Sequence, residues 1–195
     1  MSDADNKGVP VAEGSELVLD LNGHELVMHE PGTGSQGTET LAFQFLKDSD
    51  IIIKNGVIDC HSPLKMGLQN YSNLTLDNVT VNCDPTITYA LSNNYGNIVL
   101  KNGTTLNPTE GNVAFDLWYG MSQVYDDGIN ITIADNTVKI NGPVEYGKAS
   151  RASQELFEQR CSLTIPTEME LTFKSSPEGF GWVDNGDGSK TFKKL

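Results

Sequence analysis

The sequence predicts an all-β protein built as a parallel β-helix, a solenoid of about five coils that ends in one short amphipathic helix and a β-hairpin. Three observations support this prediction. One motif recurs along the chain, each copy alternates apolar and polar residues, and Asn or Asn-Gly interrupts each copy at the same place. Alternation among Ile, Leu, Val and Thr is typical of strands, and a recurring motif indicates that equivalent strands stack on one another.

The two clearest copies, residues 49–60 and 72–83, align without a gap at an offset of 23. A third copy, residues 96–107, follows at an offset of 24, and a fourth, residues 129–140, follows after 33. A degenerate first copy begins at Ser15 and precedes the second by an offset of 34. The two longer spacings predict loops at residues 30–39 and 118–128.

Further short apolar runs lie between the copies, so each repeat supplies about three strands, which is one coil of a solenoid. Asn-Gly between alternating runs is also the strongest short-range signal for a hairpin, so a β-sandwich or β-roll is the alternative. A tight hairpin gives no reason for the same residue types to return at a nearly fixed interval. Stacked coils give that reason, because equivalent positions then lie above each other at the strand spacing of about 4.8 Å.

The copies SNLTLDNVTVN and SDIIIKNGVID resemble coils of the right-handed parallel β-helix, or pectate-lyase-like, superfamily. The resemblance implies a structural Asn ladder of Asn55, Asn78 and Asn102, pointing inward at a turn and ending at Asp135 or Asn136. The segments LDLNGHEL and GFGWVDNGDGSKTF resemble the first coil and the closing hairpin of β-helix repeat regions in bacterial surface proteins and phage structural proteins. This superfamily includes lyases, hydrolases, adhesins and virion proteins, so the resemblance indicates a fold and no activity.

The chain divides into three parts. Residues 1–14 are polar and predict an N-terminal tail that contacts a partner, residues 15–147 form the β-helix, and residues 148–195 form a C-terminal cap. In the cap, Ala149, Ala152, Phe157 and other apolar residues recur at helical spacing and predict a three-turn helix over residues 148–160, with Ser150 as its N-cap. The helix either closes the end of the solenoid, which we favour, or docks a neighbouring subunit. The glycine-rich residues 184–188 predict a hairpin turn.

Composition limits the possible partners. The 195 residues carry 13 Lys and Arg against 26 Asp and Glu, a net charge of −13, which argues against binding nucleic acid. No window approaches the length of apolar sequence that a membrane-spanning helix needs, and the acidic start lacks the basic and apolar segments of a secretory signal. We therefore expect synthesis in a cytoplasm and no association with a membrane.

The residue pattern predicts no catalytic or metal site and no cofactor. A lyase of acidic polysaccharides needs bound calcium and a basic residue, usually Arg, whereas both arginines, Arg151 and Arg160, lie outside the coils. The spacing of the three histidines does not form a ligand triad, and residues 184–188 depart from the ligand order of an EF-hand. Cys60 and Cys83 occupy equivalent positions, where they either bridge or, as we favour, stack as reduced thiols in the core.

These observations predict a non-enzymatic structural protein of an assembled particle, most simply a phage capsid decoration protein or head fibre located in the virion. Its partners would be capsid or other structural proteins or further copies of itself, with a glycan as a possible additional ligand. A bacterial cell-surface adhesin-type module is the alternative, and a polysaccharide lyase or hydrolase is the least favoured class. The candidate partner-contact residues are apolar or aromatic side chains of the ends and of the second loop: Val9, Trp118, Tyr119, Tyr125, Leu156, Phe157 and Trp182.

Overall fold

A computed structural model describes residues 4–34, 39–120 and 128–195, and over this part of the chain the protein is all-β with one short helix. The elements in chain order are β1 (Ala4–Lys7), β2 (Val9–Val11), β3 (Glu16–Asp20), β4 (Glu25–His29), β5 (Leu41–Phe45), β6 (Asp50–Cys60), β7 (Met66–Asn70), β8 (Asn73–Cys83), β9 (Tyr89–Asn93), β10 (Gly96–Lys101), β11 (Thr105–Asn107), β12 (Val113–Tyr119), β13 (Ile129–Ile133), β14 (Lys139–Ile140), β15 (Val144–Lys148), α1 (Gln154–Arg160), β16 (Cys161–Pro166), β17 (Phe173–Ser175), β18 (Phe180–Asp184) and β19 (Ser189–Lys194).

The strands form two sheets. In the first sheet the main order is β1-β4-β6-β8-β10-β13-β16-β19-β18, with β3 paired to β6, and β11 paired to β8 and β14. In the second sheet the order is β17-β15-β12-β9-β7-β5-β2. From β5 to β17 the chain passes back and forth between the sheets, with β10 and β11, and then β13 and β14, both in the first sheet. Each strand pairs in parallel with a strand formed one circuit earlier. Among the described pairs, β16 with β19 and β18 with β19 are antiparallel.

The offsets between copies of the sequence motif equal the residue offsets between paired strands of the first sheet. Ile51 pairs with Leu74 and Cys60 with Cys83, at the predicted offset of 23. The next circuit begins at the predicted offset of 24 but ends one residue later, with Thr80 opposite Thr105. The additional residue lies in the turn before β11, where buried Thr104 donates its hydroxyl to the carbonyl oxygens of Leu76 and Lys101 at 2.9 and 2.8 Å.

A left-handed backbone conformation bends four of the five copies at an Asn residue. The φ angle is 50° at Asn22, 58° at Asn55 and Asn78, and 54° at Asn102. Asn adopts this conformation more readily than other residues that carry a Cβ, which explains why the same residue type recurs at the bend. The long strands β6 and β8 continue through the bend, whereas Asn102-Gly103 separates β10 from β11.

The core lies between the two sheets as stacked columns of apolar side chains. In the first sheet one column consists of Ile51, Leu74, Ile98, Ile131 and Leu163, each at most 2% exposed. Every strand of the column buries the same face, so a slip of one residue in register would expose the apolar side chains. The alternation of apolar and polar residues therefore fixes the register of the sheet, together with its backbone hydrogen bonds.

The N-terminal segment differs from the predicted tail. Within residues 1–14, β1 pairs in parallel with β4, and β2 pairs in parallel with β5. Each segment therefore adds a strand to one of the two sheets, because β4 and β5 offer backbone groups that further strands satisfy. Val9, proposed as a partner contact, lies opposite Phe43 and packs against the core.

The cap contains a shorter helix than predicted. Helix α1 covers Gln154–Arg160, since residues 144–148 belong to β15, and its N-cap is Ser153 rather than Ser150. The Ser153 hydroxyl accepts a hydrogen bond from the Leu156 backbone N–H at 3.3 Å. The predicted hairpin is present as β18 and β19, with Asp184 and Asp187 side chains accepting backbone N–H bonds in its turn. In the described residues no helix combines the length and the apolar character needed to cross a bilayer.

Candidate functional site

The outer face of the first sheet is the most regular surface of the described molecule. Because alternate residues of a strand face opposite sides, the positions between the core residues form three parallel rows on this face. The amide row comprises Asp50, Asn73, Asn97, Asn130 and Ser162. The β-branched row comprises Val18, Ile52, Thr75, Val99, Thr132 and Thr164, and the charged row comprises Asp20, Lys54, Asp77 and Lys101.

Side chains of the amide row are hydrogen-bonded to one another from strand to strand. Asn73 Nδ2 donates to Asp50 Oδ1 at 2.9 Å, Asn97 Nδ2 to Asn73 Oδ1 at 2.9 Å, and Asn130 Nδ2 to Asn97 Oδ1 at 3.1 Å. Ser162 Oγ extends the row by donating to Asn130 Oδ1 at 2.7 Å. Each amide thus acts as donor on one side and acceptor on the other, which holds the outer surface in the register of the backbone.

The β-branched row carries the large exposed apolar side chains of this face. Val18 is 61% exposed and Ile52 is 39% exposed. Both lie at the end of the sheet where β3 pairs with β6. Two exposed apolar side chains therefore lie side by side on paired strands at this end.

The charged row alternates acids and bases. Lys54 Nζ lies 3.3 Å from Asp20 Oδ2, and Lys101 Nζ lies 3.2 Å from Asp77 Oδ2. A hydrogen bond from Asn55, followed by the backbone N–H of Asn22, lowers the pKa of Asp20. A hydrogen bond from Asn102 is the main cause that lowers the pKa of Asp77, with Lys101 contributing. These carboxylates are ionised hydrogen-bond acceptors, suited to holding structure rather than to transferring protons.

The predicted Asn ladder lies outside the core. Asn78 and Asn102 are exposed and Asn55 is half-buried, so the expectation that these side chains point inward is wrong. The left-handed conformation turns their side chains outward, where Asn78 Nδ2 donates to Asn55 Oδ1 at 3.3 Å. Asn102 instead donates to Asp77 Oδ1 at 2.6 Å, and its backbone N–H donates to Asp135 Oδ2 at 2.8 Å. We call Asn55, Asn78 and Asn102 the turn row.

A buried pair of asparagines, which the sequence did not lead us to predict, occurs at a different turn. Asn70 and Asn93, both 0% exposed, end β7 and β9, where the chain passes from the second sheet to the first. Asn70 Nδ2 donates to Asn93 Oδ1 at 3.0 Å and to the carbonyl oxygens of Ser72 and Tyr95 at 2.8 and 3.0 Å. Their separation of 23 in sequence, equal to the repeat offset, is the signal that could have identified them.

Two of the proposed partner contacts are buried, Tyr119 at the end of β12 and Phe157 in α1 of the cap. Tyr119 is 2% exposed and Phe157 is 1% exposed, so neither is available to a partner on the surface described. Helix α1 inserts Phe157 between the rings of Tyr146 and Phe180, at centroid distances of 5.5 and 5.3 Å. These aromatic side chains are part of the hydrophobic core or pack against it.

The remaining contact candidates are more accessible. Leu156 and Trp182 are half-buried and pack against the core, and the Trp182 ring lies 5.2 Å from Phe192. Trp118 is 39% exposed, which makes it the most accessible of the described candidates. Tyr125 lies outside the described residues.

The histidine and cysteine positions form a small cluster at the ends of β6 and β8. His61 lies between two acids, with Nε2 3.2 Å from Asp59 Oδ2 and Nδ1 3.3 Å from Asp84 Oδ2. Cys60 and Cys83 are free thiols on adjacent strands. Their mutual hydrogen bond, followed by burial, raises the pKa of Cys60. Within the described ranges, no group of three or more His, Cys, Asp or Glu side chains is placed to hold a metal ion.

Comparisons with protein-family models, with curated proteins and with solved structures found no match for this chain. Its function must therefore be inferred from its own residues and geometry.

Proposed function

We propose that this chain is a right-handed parallel β-helix solenoid that serves as a non-enzymatic structural subunit of an assembled particle, as a phage capsid decoration protein or head fibre would. The repeated passage of the chain between two sheets supports the solenoid, because each circuit adds parallel strands to both sheets. The constant register along the whole of β6 and β8 supports regular coils.

The observation that carries the structural role is the in-register stacking of both faces of the first sheet. On the inner face, the column from Ile51 to Leu163 is continuous over five strands. On the outer face, the amide row is continuous over the same strands. A sheet whose side chains are stacked in register on both faces resists deformation, and a particle subunit requires this rigidity.

The N-terminal end supports an attachment surface. In the strand order, β1 ends the first sheet and β2 ends the second, so within the described residues their outer edges carry no further strand. Such edges bind other chains readily, because their backbone donors and acceptors are unsatisfied. Val18 and Ile52, the exposed apolar residues of the outer face, lie at this same end.

The proposal is tested on material from the organism that carries the gene. Particles and cell envelopes are separated from a lysate on a density gradient, and antibody against the chain locates it by immunogold labelling. We expect labelling at regular positions on particles, in constant proportion to the shell protein. Labelling confined to cell envelopes would overturn this proposal in favour of the adhesin-type module.

The attachment end is tested with two truncations. Removing residues 1–8 deletes β1, and we expect loss of particle binding in co-sedimentation while the isolated protein still unfolds in one cooperative transition. Removing Leu195, which is 76% exposed at the opposite end, is the matched control and should leave binding intact. Equal binding by both truncated proteins would show that attachment does not use the N-terminal end.

A further inference from the structure

A pocket of about 250 Å³ lies on the outer face of the second sheet, away from the rows described above. The residues that line it and matter here are Gln69, Tyr89, Ser92, Asp116, Trp118 and Glu145. Asp116 on β12 pairs directly with Glu145 on β15, and with Ser92 on β9 at its other side. The pocket thus spans neighbouring strands of one rigid sheet.

The two carboxylates are held close together by this pairing. Directly opposed residues of adjacent strands are separated by about 5 Å, and both side chains face the same side. Glu145 Oε2 accepts the Tyr89 hydroxyl at 2.9 Å, and its Oε1 lies 3.1 Å from Lys174 Nζ. Asp116 Oδ1 accepts the Asn93 backbone N–H at 3.1 Å. Glu145 therefore has a cation beside it, whereas the bonds described for Asp116 come from neutral groups.

Burial makes the charge on Asp116 costly. Its side chain is only 6% exposed, and burial, followed by the nearby charge of Glu145, raises the pKa of Asp116 to about 7. A Ser92 side-chain hydrogen bond acts in the opposite direction but is smaller than the effect of burial. Because the pKa of Asp116 lies near neutral pH, a cation placed in the pocket would compete with the proton for this carboxylate.

Aromatic side chains line the pocket beside the two carboxylates. Trp118 follows Asp116 by two residues on the same face of β12 and is 39% exposed. Its indole lies over Gly147 of β15, because a Cβ at Gly147 would come within 2.9 Å of the ring atom Cζ3. The ring of Tyr89 lines the same cavity. The faces of Trp and Tyr rings attract organic cations.

We propose that this pocket binds an alkylammonium group, supplied by a free amine or by a lysine side chain of a partner protein. The ammonium hydrogens bond the carboxylates of Asp116 and Glu145, and the adjoining methylene groups pack on Trp118. This inference goes beyond the proposed structural role and does not depend on it. The bonds described for Asp116 come from neutral groups and the lysine lies beside Glu145, so an ammonium would compensate the charge on Asp116 whereas a neutral ligand would not.

Binding is measured by calorimetry on the full chain, with n-butylammonium as the free amine and a blocked peptide with one lysine as the other probe. Because the cation displaces a proton from Asp116, we expect proton release, detected as a buffer-dependent heat, and about tenfold tighter binding at pH 8 than at pH 6. The groups that face Asp116 are Tyr89 and Glu145, with Lys174 behind Glu145. Tighter binding of the peptide by tenfold or more assigns the site to a partner lysine, and equal affinity assigns it to a free amine.

Three variants and a control test the geometry. Asp116→Asn and Trp118→Ala should each weaken binding at least tenfold, and Gly147→Ala should weaken it severalfold by displacing the indole. Glu168→Gln, an exposed site elsewhere, likewise replaces a carboxyl group by an amide and should leave affinity unchanged. Thermal unfolding of each variant shows whether it is folded.

The proposal is overturned if the wild-type chain fails to bind either amine at millimolar concentration, or if Asp116→Asn, still folded, binds as tightly as the wild type. It is also overturned if affinity is the same at pH 6 and pH 8, or if a norleucine peptide binds as well as the lysine peptide. A preference for neutral sugars over amines would likewise assign the pocket to a different ligand.

Discussion

Two pairs of asparagines are each separated by 23 residues in sequence, and the two pairs have different structural roles. Asn55 and Asn78 of the turn row occupy bends with a φ of 58°, and their side chains lie toward the surface. Asn70 and Asn93 lie wholly in the interior and donate to backbone carbonyl oxygens of their own turn and of the next one. The first set is selected for backbone conformation and the second for hydrogen bonding, so an identical repeat of residue type does not define an identical role.

The largest expected effect is in the buried pair. Asn70→Leu removes the donors to the Ser72 and Tyr95 carbonyl oxygens and the acceptor for the Ser72 N–H, and leaves them buried without partners. We expect a loss of about 3 kcal/mol in the free energy of unfolding, measured by urea denaturation. Asn70→Gly should cost a similar amount, because the lost amide dominates. A change below about 1 kcal/mol in both variants would contradict the assigned role.

The second prediction concerns the pH dependence of stability, to which the buried acid and the exposed acids should contribute differently. The folded protein raises the pKa of Asp116 from the ordinary 3.8 to about 7. The folded state therefore binds more protons than the unfolded chain between these values, and stability falls as pH rises from about 4 to about 7, by on the order of 3 kcal/mol. Urea midpoints across this range measure the slope, which Asp116→Asn should remove.

The acids of the charged row provide the control for this slope. The pKa of Asp77 is lowered in the folded state, so its contribution is present above pH 3.8 and is lost as pH falls further. Asp77→Asn should consequently leave the slope between pH 4 and pH 7 unchanged. A slope that persists in Asp116→Asn would show that another group binds the proton.

A smaller effect is expected in the turn row. Asn78→Leu places a branched side chain at a left-handed residue and should cost about 1 kcal/mol, through backbone strain rather than through lost hydrogen bonds. Asn78→Gly, which removes the side chain but accepts this conformation, should change stability by less than about 0.5 kcal/mol. If glycine proved as costly as leucine, the side-chain bond to Asn55 would be the dominant contribution.

The smallest effect is expected where a buried polar atom is unsatisfied. The Tyr146 hydroxyl is buried and has no hydrogen-bond partner among the described residues, in contrast to the Asn70 amide. Tyr146→Phe removes this group while keeping the ring contacts to Phe157 and Phe180, so we expect equal or greater stability, by up to about 1 kcal/mol. Thermal unfolding measures the change, and a clear loss would reveal a partner for the hydroxyl.

The sequence predicted the strand registers well, because apolar residues must stay on one face of a sheet and the repeat carries that constraint along the chain. Ile51 opposite Leu74 follows directly from the alignment of the copies. The inward orientation of Asn55 was wrong for a specific reason. Strict alternation from Ile51 and Ile53 places residue 55 inside, but the left-handed backbone at that residue reverses the side-chain direction.

Alternation does hold in the second sheet, where it could have identified the buried pair. Leu68 and Leu91 face the core, and residues two positions later, Asn70 and Asn93, face it as well. The pocket at Asp116 was not predictable from the repeat. It depends on the pairing of β12 with β15, on the small Gly147 beneath the indole, and on burial of a carboxylate that in sequence looks like any other surface acid.

The one-residue difference between successive circuits shows how this architecture accommodates change. Thr104 is an extra residue relative to the preceding circuit, yet the strands on both sides stay paired, and its hydroxyl contacts the carbonyl oxygens of Leu76 in β8 and of Lys101 and accepts the Val79 backbone N–H. Duplication of a whole circuit would require less adjustment of the backbone than insertion of one residue. In the solenoid proposed above, a duplicated circuit would add strands to both sheets and lengthen the stack by about 4.8 Å, so the length of the molecule would change in fixed steps.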